Sequence, residues 1–186
     1  MELHFYGPFT LVGNELSIAR SGYAKHAGIY LWTVTDCANR FIHYIGETDS
    51  LLKRHREHLT HILGLNYGLF RPDAVASRDP RPVYGGMWRD KSEDPLTSHV
   101  ASWLRFKDSV IPYLESLEVF FAPTSCDTQI RRHVEGWIAK NLRAKHPDDA
   151  IHYPSDNRTV AGKPLGIAVS ISSDMPIRGL DARLET

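Results

Sequence analysis

One short stretch of this sequence carries side chains suited to handling a phosphate group. When residues 51–62 are placed on a helix at about 100° per residue, Arg54, His58 and His61 line one face. A guanidinium on that face can hold a phosphate, because its N–H donors match the phosphate oxygens. A solvated basic helix face gives the same pattern, so this helix alone does not decide between the two interpretations.

Two tyrosines lie on the strands before this helix. A predicted strand over 28–34 opens with Gly28-Ile29-Tyr30, and its antiparallel partner over 40–45 ends in Tyr44-Ile45-Gly46. Either triplet alone is typical of an ordinary strand end. Their order along the chain is informative, because Arg54 lies on the helix that follows Gly46.

A carboxylate lies on the longest predicted helix, 127–145. Its apolar stripe includes Val134 and Ile138, and Glu135 falls at the margin of that stripe. A carboxylate at a margin can be partly desolvated and still reach a cleft. The alternative is an exposed glutamate paired with Arg131 or Arg132, a common surface arrangement.

Taken in order, these segments resemble the GIY-YIG endonuclease family. The family arginine lies ten positions after the second tyrosine, as Arg54 does after Tyr44, and His58 matches the histidine of homing-type members. The segment Glu135-Gly136-Trp137-Ile138 is similar to the one that carries the metal-binding glutamate of the family. The similar part spans about residues 28–157.

The sequence departs from that family at three places. An insertion is expected at about 64–95, either a groove or base contact region or a surface loop held by its aromatics. Asn157, the candidate for the family asparagine, lies 22 positions after Glu135, and Asn141 is the structural alternative. Glu47 stands where repair-type relatives carry a lysine.

The resemblance implies a hydrolytic mechanism for a phosphodiester bond. Its catalytic residues would be Tyr30, Tyr44, Arg54, His58, Glu135 and Asn157. Glu135 would bind one Mg²⁺ or Mn²⁺ per active site. Arg54 would hold a phosphate oxygen, and Tyr44 would position the water or the phosphate. Tyr30 would act as general base or orient the attacking water, and His58 would relay a proton or bind the phosphate.

The expected partner is DNA, double-stranded rather than single-stranded. The formal net charge is zero, so phosphate contacts need local basic patches, expected at Lys53, Arg56, Arg131 and Arg132. Hydrolysis at phosphorus is the same chemistry in RNA, which stays open as a substrate. Cutting both strands needs two sites or two visits, which is compatible with a homodimer.

Two other functions compete with a restriction, defence, repair or mobile-element endonuclease. A module on the same fold can bind nucleic acid or protein without catalysis. The histidines at 55, 58 and 61 suggest zinc, but ligands on one helix are more often spaced by four, and His55 points into the apolar stripe.

Composition and periodicity predict a mixed α/β fold of 186 residues. The expected core, residues 28–157, is an antiparallel sheet of about three strands, a hairpin and a strand over 115–121, flanked by helices. Residues 1–27 and 158–186 are expected to be terminal extensions, in which 4–6, 9–12 and 166–171 have the pattern of short strands. Two distant cysteines and the lack of a signal peptide or an 18-residue apolar run predict a cytoplasmic protein without a membrane partner.

Overall fold

The protein folds into one mixed sheet with helices on both faces. The computed structural model describes residues 1–12, 17–36, 39–70, 82–89, 94–145 and 165–185. Two single-turn 3-10 helices cover Ile18–Arg20 and Met87–Arg89. The longer elements, in chain order, are β1 (Glu2–Thr10), β2 (Gly28–Asp36), β3 (Asn39–Thr48), α1 (Leu51–Leu63), α2 (Pro95–Glu115), β4 (Leu117–Pro123), α3 (Thr128–Lys145), β5 (Ala168–Ser173) and β6 (Arg183–Glu185). In the described part of the chain, no helix has the length and apolar character needed to cross a membrane.

The sheet has six strands in the order β3-β2-β4-β1-β5-β6. The mixed α and β class is therefore confirmed, but three strands was too few. The added strands come from the two segments predicted as terminal extensions. β1 pairs with β4 on one side and runs parallel to β5 on the other, so both termini contribute to the sheet. Local patterns could not reveal this pairing, because β1 and β5 are far apart in sequence.

The side chains of β2 point alternately to the two faces of the sheet, so the core has one part on each face. Tyr30 and Trp32 belong to the cluster that includes residues of α1 and α2. Ile29 and Leu31 belong to the second cluster, with Val134 and other residues of α3. Successive strand side chains point to opposite faces, so α1 and α3 lie on opposite sides of the β2–β3 hairpin.

The helices differ from expectation mainly at their ends. The sequence pattern predicts a helix over 49–62, but α1 begins after Ser50, and α3 matches its predicted segment. The pattern also predicts a helix over 97–108, but α2 continues through Pro112 to Glu115. A proline interrupts the helical hydrogen bonds. Here the last turns still bury Val110, Tyr113 and Leu114, which stabilises the longer helix.

The described parts of the predicted 64–95 insertion contribute residues to the core. Leu65 and Leu69 are completely buried in the α1 and α2 cluster. Tyr84 stacks on Phe106 of α2, with ring centroids 5.2 Å apart. Residues 64–70 and 82–89 therefore connect α1 to α2 by packing.

Two glycines of the hairpin are required by close packing. Tyr30 pairs with Gly46 across β2 and β3, and a Cβ on Gly46 would overlap the Tyr30 hydroxyl and ring. A Cβ on Gly28 would overlap the Ala122 carbonyl and the Phe121 ring. The sequence pattern around the tyrosines thus has a steric basis.

We expect Gly46→Ala to lower the free energy of unfolding by about 1–3 kcal/mol, because the methyl group must displace the buried Tyr30 ring. Gly22→Ala is the matched control, since no atom lies within 4 Å of its Cβ position. Urea unfolding of both variants measures the difference. Equal stability of the two would contradict the packing of Tyr30 over Gly46.

Candidate functional site

The predicted tyrosines, arginine and histidine meet at one place, between β2 and α1. The Tyr30 hydroxyl lies 2.7 Å from His58 Nε2, and Arg54 Nε donates to the same hydroxyl at 3.4 Å. The Tyr44 ring stacks on Tyr30 with centroids 5.9 Å apart. Tyr30 and His58 are buried, whereas Tyr44 is half-buried. We refer to Tyr30, Tyr44, Arg54 and His58 as the tyrosine–arginine network.

The Tyr30 hydroxyl is a neutral phenol at physiological pH. Burial raises the pKa of Tyr30 well above its ordinary value, and Tyr44 raises it further. The hydrogen bond from Arg54 lowers this pKa without reversing the shift. A general base works best with a pKa near the operating pH. Of the two predicted roles, this environment favours orienting a water or phosphate over general-base catalysis.

Arg54 supplies a permanent positive charge beside this neutral hydroxyl. Burial opposes that charge, but interactions with Tyr30 and Glu57 raise the pKa of Arg54 above its ordinary value. Its Nη1 donates to Glu57 at 3.0 Å, and 28% of the Arg54 side chain is exposed. An anion that reaches this surface could therefore contact the guanidinium.

The interaction with Glu57 was not predicted, because on a helical wheel of residues 51–62 Glu57 points towards solvent. Arg54 and Glu57 are three positions apart on α1, so they lie about one turn apart. That spacing was the available sequence signal.

A second buried pair, Trp32 and His55, lies next to the network in the core. Trp32 Nε1 donates to His55 Nε2 at 2.9 Å, and His55 Nδ1 lies 2.8 Å from the Leu51 carbonyl oxygen. Nε2 therefore accepts and Nδ1 donates, which fixes the neutral tautomer. Burial lowers the pKa of His55 to about 4. With both nitrogens engaged, His55 is unsuited to bind zinc. The sequence indicated its burial but not its partner.

Glu135, the predicted metal ligand, lies on α3 and therefore on the other side of the sheet. It is only 5% exposed, so it is more deeply buried than the predicted margin position. Its helix neighbour Val134 packs in the cluster with Ile29 and Leu31. The tyrosine–arginine network belongs instead to the α1 side.

α1, which carries Arg54, and α3, which carries Glu135, pack in different clusters on opposite sides of the hairpin, and a metal ion bound by Glu135 stays a prediction. No group of three or more His, Cys, Asp or Glu side chains in the described ranges could hold an ion. Glu57 is the carboxylate beside Arg54, and it is paired with that arginine. We therefore derive no chemical step through a metal ion. Asn157, the remaining predicted catalytic residue, lies outside the described residues.

The two arginines predicted to contact nucleic acid on α3 occupy different environments. Arg131 is buried, and it donates to Glu47, to Asp49 and to the Cys126 carbonyl oxygen. Arg132 donates to Glu47 at 3.1 Å but keeps 66% of its side chain exposed. Arg131 thus joins α3 to the end of β3, whereas Arg132 remains accessible to a phosphate.

Basic side chains on α1 surround an open surface depression of about 400 Å³. Lys53 and Arg56, both predicted contacts, line it together with Lys25 and Glu57. Three cations against one carboxylate make this surface locally positive on a protein with no net charge. Lys25 was not predicted, because it precedes the motif-bearing segments.

An aromatic group borders the network on the opposite side of α1 from this depression. His58 packs near Tyr67, and Tyr67 contacts Trp88 edge-to-face at 5.1 Å. Trp88 also contacts His61 and is 60% exposed. An exposed tryptophan can stack on a nucleobase, so a base contact region at 64–95 stays a prediction, beside the alternative of a surface loop held by its aromatics.

Comparison of the chain with models of protein families, with curated proteins and with solved structures found no significant match. Function must therefore be argued from the residues of the site. The network, its permanent cation and the adjacent basic depression are the features that bear on it.

We expect His55 to make the protein sensitive to acid. Its folded-state pKa is lowered, so its contribution to stability is complete above about pH 6.5 and decreases as pH falls towards 4. From pH 7 to 4.5 this residue should account for roughly 2 kcal/mol of lost stability. Urea unfolding of wild type and His55→Asn at both pH values measures it. His61→Asn, at a half-exposed position, is the control. An equal pH dependence of wild type and His55→Asn would contradict this assignment.

We expect Arg131→Gln to destabilise the protein by about 3–5 kcal/mol, because it removes a buried guanidinium and leaves the largely buried Glu47 carboxylate to the exposed Arg132. Arg132→Gln should change stability by less than about 1 kcal/mol, since its guanidinium is largely exposed. Thermal unfolding of the two variants gives the comparison. A larger loss for Arg132→Gln would mean that the two roles are reversed.

Proposed function

We propose that this protein is an endonuclease that hydrolyses phosphodiester bonds of DNA, with the tyrosine–arginine network as its phosphate-handling centre. One observation supports this most directly. The partly exposed Arg54 guanidinium is hydrogen-bonded to a buried tyrosine hydroxyl that itself contacts His58. The resemblance of the ordered motifs to GIY-YIG endonucleases supports the same function.

Each residue of the network has its own role in the proposed reaction. Arg54 binds a nonbridging oxygen of the scissile phosphate and stabilises the charge that develops on it. Tyr44 positions the phosphate or the attacking water. As the oxygen of the attacking water bonds to phosphorus, the bond from phosphorus to the leaving sugar oxygen breaks, and that oxygen takes a proton from bulk water. The attacking water gives its own proton to Tyr30 as the Tyr30 proton passes to His58 Nε2, 2.7 Å away. The Tyr30 hydroxyl remains neutral throughout, which agrees with its raised pKa.

The basic depression next to the network supports a polyanionic substrate. Lys25, Lys53 and Arg56 can contact backbone phosphates on either side of the bond held by Arg54. Such contacts make binding weaker as salt increases. Double-stranded DNA is proposed as the substrate, and RNA is the alternative to be compared in the same assay.

A non-catalytic nucleic-acid-binding module is the second candidate. The position of Glu135 favours it, because the only predicted metal ligand is buried on the α3 side of the sheet. Divalent-ion dependence and the role of Glu135 are therefore tested together with cleavage.

We expect Arg54→Ala to lower the cleavage rate of plasmid DNA by about 10²–10³-fold, because it removes the cation at the scissile phosphate. Arg56→Ala is the matched control: it removes the same charge from the same helix at an exposed position. Arg56→Ala should weaken DNA binding and reduce the salt dependence of that binding. The cleavage rate at saturating DNA should stay nearly unchanged.

The assay follows cleavage of supercoiled plasmid, labelled single strands and RNA with Mg²⁺, with Mn²⁺ and with EDTA. Glu135→Gln is run in parallel, with circular dichroism to confirm folding. Salt-sensitive DNA binding without cleavage in any metal would support the binding module instead. Cleavage that Arg54→Ala does not slow would show that the network is not the active site.

A further inference from the structure

An exposed apolar stripe runs along the outer face of α2. The helix turns about 100° per residue, so residues 96, 100, 103, 104 and 111 fall within an arc about 100° wide. Leu96 is 72% exposed, Leu104 64% and Val100 52%. An amphipathic surface helix normally directs an apolar arc of this width towards a core.

The adjoining arc of the same helix is already buried. Val110 and Tyr113 pack in the cluster with Tyr30 and α1, and Phe106 packs against it. Leu114 points in the same direction as Leu96 on an ideal helix, but in the last turn that direction is buried in the same cluster. α2 is therefore held in place by its inner arc, and the outer stripe is not needed to attach the helix to the sheet.

The stripe continues onto the end of α1. Trp103 Nε1 donates to the Leu63 carbonyl oxygen at 3.3 Å, and Leu63 is 48% exposed. The exposed parts of these side chains amount to on the order of 600 Å², if an aromatic side chain offers about 150–250 Å² and an aliphatic one somewhat less. A standard interface buries about 800 Å² per partner. The members of the stripe are Leu63, Leu96, Val100, Trp103, Leu104 and Ile111.

We propose that this stripe is the interface with a second copy of the chain, formed by antiparallel packing of α2 against α2. The midpoint between Leu96 and Ile111 falls between Trp103 and Leu104. A two-fold axis there would place Leu96 of each helix opposite Ile111 of the other, and the two central residues against each other. The same axis places Val100 of each helix opposite Lys107 of the other. Apart from that lysine, the apolar residues of the stripe face one another, as an isologous interface requires.

The charged residue within the stripe is compatible with this pairing. Lys107 is bonded to the neighbouring Asp108 at 2.8 Å, so its charge is matched within one protomer. Its methylene stem can cover apolar surface while the ammonium group reaches water. The proposal depends on this surface alone and not on the proposed nuclease activity.

Sedimentation velocity of the full chain without nucleic acid tests the proposal. Protein concentrations of about 1 and about 100 μM are chosen because interfaces of standard size bind with micromolar or tighter affinity. We expect wild type to reach twice the 21.1 kDa mass of the chain. Leu104→Glu and Val100→Glu should remain monomeric. Ser109→Glu, which adds the same charge at an exposed position outside the stripe, should dimerise like wild type.

Amide hydrogen exchange of wild type at the two concentrations gives a test that needs no variant. Exchange in residues 96–111 should be slower at the higher concentration. A monomeric wild type at 100 μM or above overturns the proposal. So does a dimer that survives both stripe substitutions, or one whose protected amides lie elsewhere. Cleavage or its absence has no bearing on these outcomes.

Discussion

The structure depends on one buried hydroxyl group, that of Tyr30. A phenol in the core needs hydrogen-bond partners, because an unpaired polar group is costly to bury. α1 provides them through His58 and Arg54, which fixes the rotation of that helix against β2. The ring in turn lies over Gly46, so β3 must carry a glycine opposite it. The interactions of the Tyr30 hydroxyl therefore fix how β2, β3 and α1 pack together. They also bring Arg54 to the surface.

The same strand alternation that creates this site separates it from α3. Tyr30 faces α1, whereas Ile29 and Leu31 face the helix that carries Glu135. At the end of the hairpin, Glu47 follows Gly46 and is bound by Arg131 and Arg132. Glu47 is thus a carboxylate that anchors α3 to the end of β3.

The hairpin, α1 and α3 could be predicted from sequence because their signals are local. Strand propensity and helical spacing were sufficient to align Arg54 with His58 and to find the apolar stripe of α3. The parallel pairing of β1 with β5 could not be predicted. It pairs Leu3 with Ile171, and no local sequence pattern in either segment indicates the other as its partner. The burial of Glu135 was also missed, because a helical wheel shows a margin but not what packs over it.

The charges of the site indicate which kind of ligand it favours. Tyr30 and His55 are held neutral by burial, while Arg54 stays cationic despite it. Glu57 offsets part of that charge, but Lys53 and Arg56 on the same helix restore a positive surface. In such a partly desolvated setting, attraction for an anion is stronger than in bulk water, and a cation placed beside Arg54 would be repelled. The charges of the network therefore favour an anionic ligand, and any bound divalent ion would need carboxylates from outside it.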